Sequence, residues 1–174
     1  MSNKDPKLLL FHAPLLRQDM TTPKAMRDVI YALLPATGAA LWYFGISAAL
    51  VIATSIAGAV LAEWLFAPRA TRGASLKDST GVLTGLLLAL SLPPGLPLWM
   101  AFLGGFVGIS FGKVIWGGIG HNLFNPALLG RAFLQATFPI AMTTWVVAAP
   151  GEFVIYSSNL AWPFMQANVD VVTG

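Results

Sequence analysis

The chain has 174 residues, 56% of them hydrophobic and only 10% charged, with a mean hydropathy of +0.72; an ordinary soluble domain devotes about a quarter of its residues to charge, so water is the wrong solvent for most of this one. It has no cysteine, which excludes thiolate-bound iron–sulfur clusters, cysteine zinc sites, haem c attachment and disulfides within the chain, so redox work here needs another cofactor. The net charge of +3 does not mark a nucleic-acid partner, because the basic residues lie between apolar runs rather than in one stripe interleaved with aromatics.

Residues 1–25 carry Lys4, Asp5, Lys7, Arg17, Asp19 and Lys24, which is not the basic start and compact apolar stretch of a signal peptide, and they read as a retained cytoplasmic arm. No Asp, Glu, Lys or Arg falls between Asp28 and Glu63, or between Asp78 and Lys113, two gaps of 34 residues each. As one helix such a gap would run about 51 Å, too long for a hydrocarbon core of about 30 Å, so each gap must hold two spans. The first spans are expected at 26–44 and 46–66, joined by the aromatic turn Trp42, Tyr43, Phe44 and Gly45, with Trp64 belting the other end. Arg69, Arg72 and Lys77 form a polar loop. A third helix at 79–92 is stopped by Pro93-Pro94-Gly95-Leu96-Pro97; its length of about 14 residues is short of the roughly 20 a full span needs, so it reads as a half-helix ending inside the protein.

The fourth span, 98–116, carries Gly104, Gly108 and Gly112 at four-residue spacing, a flat stripe suited to close helix packing. Gly112-Lys113 is no phosphate loop, because Val107 stands where the first Gly is needed and Val114 where the Ser or Thr is needed. After the glycine-rich bend 117–126 comes a fifth span at 127–147, with Pro126 suited to its first turn, and then an interfacial tail at 149–174. The fold class is therefore all-α transmembrane with about five helices, in three parts: arm 1–25, helix domain 26–148 and tail 149–174. All ten Lys and Arg fall on one side of these spans. The positive-inside rule makes that side the cytoplasm and leaves the Gly45 turn, the Pro93–Pro97 turn and the tail outside.

Among polar residues, Asn122 and Asn125 flank the bend that opens the fifth helix. Backbone N–H groups and amides there can bind a polar or anionic group at membrane depth, or the asparagines merely cap the helix. Asn125-Pro126-Ala127 is also the short motif of water channels, which use two copies where this chain has one. Glu63, an acid within the second predicted span, is expected to snorkel or to pair with Arg69 or Arg72 at the interface, with a part in ion movement as the alternative. His12 and His121 both fall on the cytoplasmic side, so they do not clamp a haem between leaflets. No catalytic triad, paired carboxylate or metal-ligand cluster is visible.

The run from Leu76 to Pro94, containing Lys77-Asp78-Ser79-Thr80-Gly81 and ending Ser91-Leu92-Pro93-Pro94, closely resembles the RnfD family, the D-type component of the Rnf electron-transport complex. Lys113-Val114-Ile115-Trp116-Gly117-Gly118-Ile119-Gly120-His121-Asn122 through Ala127, and Phe138-Pro139-Ile140-Ala141 through Trp145, are similar to signatures of the same family. The related NqrB component of the sodium-pumping NADH:quinone oxidoreductase shares the Asn-Pro-Ala bend and Gly130-Arg131-Ala132-Phe133-Leu134, but usually has a longer N-terminal extension. Phe11-His12-Ala13-Pro14 departs from the Ser-Pro-His common in the family, which leaves His12 without a carried-over role.

The resemblance implies a membrane component of a redox-driven pump in the bacterial inner membrane, passing electrons between NADH and ferredoxin while Na⁺ or H⁺ crosses. Its implied partners are the other Rnf proteins: RnfA, RnfB, RnfC, RnfE and RnfG. It also implies a ten-helix fold of two repeats, of which this chain would be the first. The implied cofactor is FMN, held by a phosphoester to the last Thr of a Ser/Thr-Gly-Ala-Thr motif, with riboflavin as a further flavin. Thr173-Gly174 look like the first half of that motif, with the acceptor Thr beyond them. Asn122, Asn125 and Thr84 are then expected to line a polar pocket for a flavin or the ion path. Since the family's fold is similar to that of urea transporters, a small-solute channel is the competing reading, and a purely structural scaffold is a third.

Overall fold

The computed structural model describes residues 22–66, 79–117 and 124–163. Helix α1 spans Thr22–Phe66, but Gly45 at φ 62° and ψ −143° divides it into two segments, at the residue where the aromatic turn was expected. Two features make glycine necessary there. The positive φ is one that L side chains rarely adopt, and a Cβ would lie 2.6 Å from the Glu152 carbonyl oxygen. The second segment, 46–66, is about 31 Å long, the thickness of a hydrocarbon core.

Helix α2, Thr80–Ala89, is short as expected: at 10 residues it covers about 15 Å, half a bilayer. Its last N–H groups give way to turns in which Ser91 N donates to Leu88 O and Leu92 N to Ala89 O, and the prolines at 93 and 94 prevent any continuation. Helix α3, Leu98–Ile109, continues into a π-helical turn, Ser110–Val114. Its glycines form two flat faces rather than one. Gly105 fits against the α1 backbone at Ser55 and Ala59, while Gly104, Gly108 and Gly112 receive helix α4, Pro126–Thr137. A Cβ on Gly108 would come within 2.6 Å of Pro126 O, and one on Gly130 within 2.5 Å of Gly104 O, so α3 and α4 cross at backbone contact. Helix α3 is thereby sandwiched between α1 and α4, and Val51, Leu88, Ala101, Ala127 and Leu134 close the core.

The expected fifth span at 127–147 is corrected by the structure. The helix ends at Thr137, Phe138 takes φ −129° and ψ 60°, and a five-residue helix α5, Pro139–Thr143, sets off from there. Pro139 is the cause: it lacks an N–H and disfavours helical geometry at the residue before it. From Thr144 to Tyr156 the chain is neither helix nor strand and bends at a Pro150-Gly151 turn, where Gly151 takes φ 81° and Glu152 N donates to Ala149 O at 3.1 Å; a 3₁₀ turn follows at Ser157–Leu160. This tail is stitched across the Gly45 end of the bundle. Ser47 N donates to Val154 O (3.2 Å), and Asn159 Nδ2 donates to Pro94 O and Leu96 O (2.9 Å each). Tyr156 Oη donates to Val147 O at 2.8 Å; burial first, and the Glu152 carboxylate second, raise its pKa and keep it a donor.

Candidate functional site

Opposite the tail, near the Phe66 end of α1, the bundle encloses charge. Glu63 on α1 is 1% exposed and Lys113, in the π turn of α3, is 3% exposed, and the two form an ion pair. They are 50 residues apart in sequence. Glu63 therefore does not snorkel at the interface, as the sequence suggested, and Lys113 does not merely flank a loop; each is drawn inside by the other. A charged group is tolerated in an apolar interior only when paired, and the π turn, a departure from α geometry often found at functional sites, carries the lysine into this position.

Helix α2 supplies the third wall. Gly81, in its first turn, lies against the Glu63 carboxylate, and a Cβ there would collide with Oε2. The carboxylate thus faces the N-terminal, electropositive end of α2 as well as the ammonium of Lys113. Thr80 beside it is buried, and its hydroxyl has no hydrogen-bond partner among the described residues. Acid, base and helix end thus meet where three helices converge.

Of the residues singled out from sequence, Asn125 is the N-cap of α4: its side chain accepts from Ala127 N at 3.0 Å, with Pro126 at the first helical position. Asn125 is exposed, whereas Thr84 is buried in α2, and no hydrogen bond joins the two. Asn122, Thr173, Gly174, His12, His121, Arg69 and Arg72 lie outside the described residues. A residue that received no role from sequence emerges on α4: half-buried Arg131 reaches back to α2's end, its Nη1 donating to the Ser91 carbonyl.

A second feature lies at the opposite end. A crevice of about 430 Å³ opens between the Pro93–Pro97 turn, the Phe138 break and the tail, lined by Trp99, Phe138, Ile140, Thr144, Ser158 and Trp162 among others. Trp99 and Phe138 meet edge to face at 5.3 Å. Volume and lining are those of a small-molecule site. It exists because α4 breaks at Phe138, which is why a continuous fifth span gave no hint of it.

Helix α1 turns large residues such as Tyr31, Leu34, Leu41 and Leu65 outward while the bundle keeps an ion pair inside, a pattern in keeping with the class of helical membrane proteins. Among the described residues one helix, Pro23–Phe66, is long and apolar enough to cross a membrane. The chain belongs to the NQR2, RnfD, RnfE family, whose pattern it matches over residues 10–174. It is 41% identical over 133 residues to the D component of the proton-translocating ferredoxin:NAD(+) oxidoreductase complex of Clostridium ljungdahlii, covering 76% of this chain and 40% of that one. To the D component of the ion-translocating oxidoreductase complex of Halorhodospira halophila it is 37% identical over 171 residues, covering 95% of this chain and 48% of the relative. The corresponding protein of Escherichia coli is 38% identical over 136 residues, 77% of this chain and 39% of its own length. The chain thus spans less than half the length of these relatives.

Proposed function

We propose that this chain is a membrane-embedded part of a D-type component of an Rnf-like ion-translocating oxidoreductase in the bacterial inner membrane, with its N-terminus in the cytoplasm. The Glu63–Lys113 pair lies on the path by which Na⁺ or H⁺ crosses, and electrons pass between NADH and ferredoxin through bound flavin. The buried pair carries this reading. Ionisable groups inside a membrane bundle mark ion pathways by default, and this pair abuts the positive end of a half-helix whose first residue, Thr80, buries a hydroxyl without a partner among the described residues, a combination that close packing alone does not require.

For the flavin, the fit rests on the outer crevice. Its volume suits a planar ring system, and Trp99, Phe138 and Trp162 offer aromatic faces for it. FMN, when bound, supplies the electron-transfer chemistry that a chain without cysteine, acting alone, lacks. The chain runs on from Pro163, which lines the crevice, to Thr173 and Gly174, so an acceptor Thr immediately after them is close in sequence to the site. Asn122, Asn125 and Thr84 remain candidates for the opposite, cytoplasmic side of the path.

Two measurements test this. Full-length protein purified from its membrane should carry a flavin spectrum; colourless protein that speeds the flux of a small neutral solute would be a channel and would overturn the proposal. For topology, the chain has no native cysteine, so single replacements report cleanly. Ser157→Cys should react with an impermeant reagent in intact cells and Ala74→Cys should not, and labelling of Ala74→Cys from outside would reverse the orientation.

A further inference from the structure

We propose that the outward face of α4, with Arg131 at its edge and Gln135 one turn further along, is an intramembrane interface that receives a carboxylate-bearing membrane segment of the same, longer polypeptide. The inference rests on the membrane reading above for depth and on the structure for charge. Helix α4 begins with Pro126 stacked on Gly112, the residue beside Lys113, and runs antiparallel to α3, with Gly130 against Gly104. Arg131 lies five residues on from Pro126, roughly 7.5 Å further in. Its guanidinium touches Ser91 O, ten residues beyond Gly81, the residue that abuts Glu63. Glu63 is three residues short of Phe66, so the guanidinium sits roughly 12–19 Å from the Phe66 end of the 31 Å segment of α1, about the bilayer midplane.

At that depth a cation must be compensated. Among the described residues the only ion pair is Glu63–Lys113, and Arg131 makes one hydrogen bond, to a neutral carbonyl. A guanidinium has five N–H donors, so most of its capacity, and all of its charge, is left for a partner.

The face itself separates protein from lipid as that partner. The residues opposite α4's buried side are Leu128, Ala132, Gln135 and Ala136, all exposed, with Arg131 following the helical repeat onto the edge. On α1 the exposed residues include Tyr31, Leu34, Leu41, Leu61, Leu65 and Phe66, a surface suited to acyl chains. A glutamine one turn from an arginine is not; polar side chains between small ones are how membrane helices meet one another. The geometry of a guanidinium selects a carboxylate as the bidentate counter-group. The source is argued from length: the matched stretch makes up 40% and 48% of two relatives, so a polypeptide of that kind has more than half its length left to supply the segment.

The test uses the full-length protein in detergent, with heat-inactivation half-life and insertion into carbonate-washed membranes as readouts. Arg131→Gln keeps a donor for Ser91 O but removes the charge, and Arg131→Lys keeps the charge. We expect the Gln variant to insert normally yet to lose its half-life by roughly tenfold or more, and the Lys variant to stay within about threefold of wild type. Neutralising one Asp or Glu beyond residue 174 should restore the Gln variant. Equal behaviour of the Gln and Lys variants would show that Arg131 only caps α2 and would overturn the proposal, as would restoring changes that map to a different protein of the complex. Failure of every version, wild type included, to remain in washed membranes would instead sink the membrane reading on which the depth depends.

Discussion

Lys113→Met is expected to destabilise the protein by about 3–5 kcal/mol, because it leaves the Glu63 carboxylate in an apolar interior without its ammonium partner. The carboxylate is 1% exposed, so water cannot take the lysine's place without the helices parting. Heat denaturation of the detergent-solubilised protein should show the midpoint falling by roughly 10 °C. Glu63→Leu should also destabilise, because it removes the carboxylate that accepts from the buried Lys113 ammonium. The double variant, Glu63→Leu with Lys113→Met, should be within about 1 kcal/mol of wild type, since two apolar side chains of similar volume replace a desolvated pair. Additive losses in the double variant would mean that the two residues act separately and that the pair is not the unit described here.

The second large effect is all or none. In full-length protein denatured and run on a gel, flavin fluorescence should stay with the band, since a phosphoester survives unfolding. A chain ending at Gly174 should be dark, because the acceptor hydroxyl is proposed to belong to a Thr beyond it. Thr173→Ser in the full-length chain should still fluoresce, since Thr173 stands at the opposite end of the motif from the acceptor. Fluorescence from the 174-residue chain would place the acceptor within these residues and overturn the motif reading.

Much of the helical layout was legible in the sequence because it is written in local terms. The break at Gly45 follows from a charge-free run too long for one span, the shortness of α2 from the prolines at 93 and 94, and the approach of α4 to α3 from the glycine spacing. The Asn125 cap was one of the two readings that residue type and position left open. The end of α4 was equally local, yet Pro139 was overlooked because apolar residues continue past it and hydropathy alone does not register a missing N–H. The Glu63–Lys113 pair was not legible for a different reason. Hydropathy locates a charge along the chain but not around the helix, and only the crossing of α1, α2 and α3, together with the extra residue of the π turn, brings the lysine inward. One sequence signal did bear on it: Lys113 bounds one charge-free gap and Glu63 the other. Arg131 was counted with the cytoplasmic charges for the same reason; its reach to Ser91 depends on a half-helix ending at mid-depth.

The central claim, that the buried pair belongs to an ion path and is more than a brace, is decided most directly by the double variant in the assembled complex. The measurement is ion uptake per electron in sealed membrane vesicles energised with NADH, compared between wild type and Glu63→Leu with Lys113→Met. Because the double variant should keep its fold, the account predicts that flavin stays bound and electrons still flow, while uptake per electron falls roughly tenfold or more as the ionisable groups leave the path. Uptake per electron equal to wild type, in vesicles with equal flavin content, would contradict the account and reduce the pair to a structural contact.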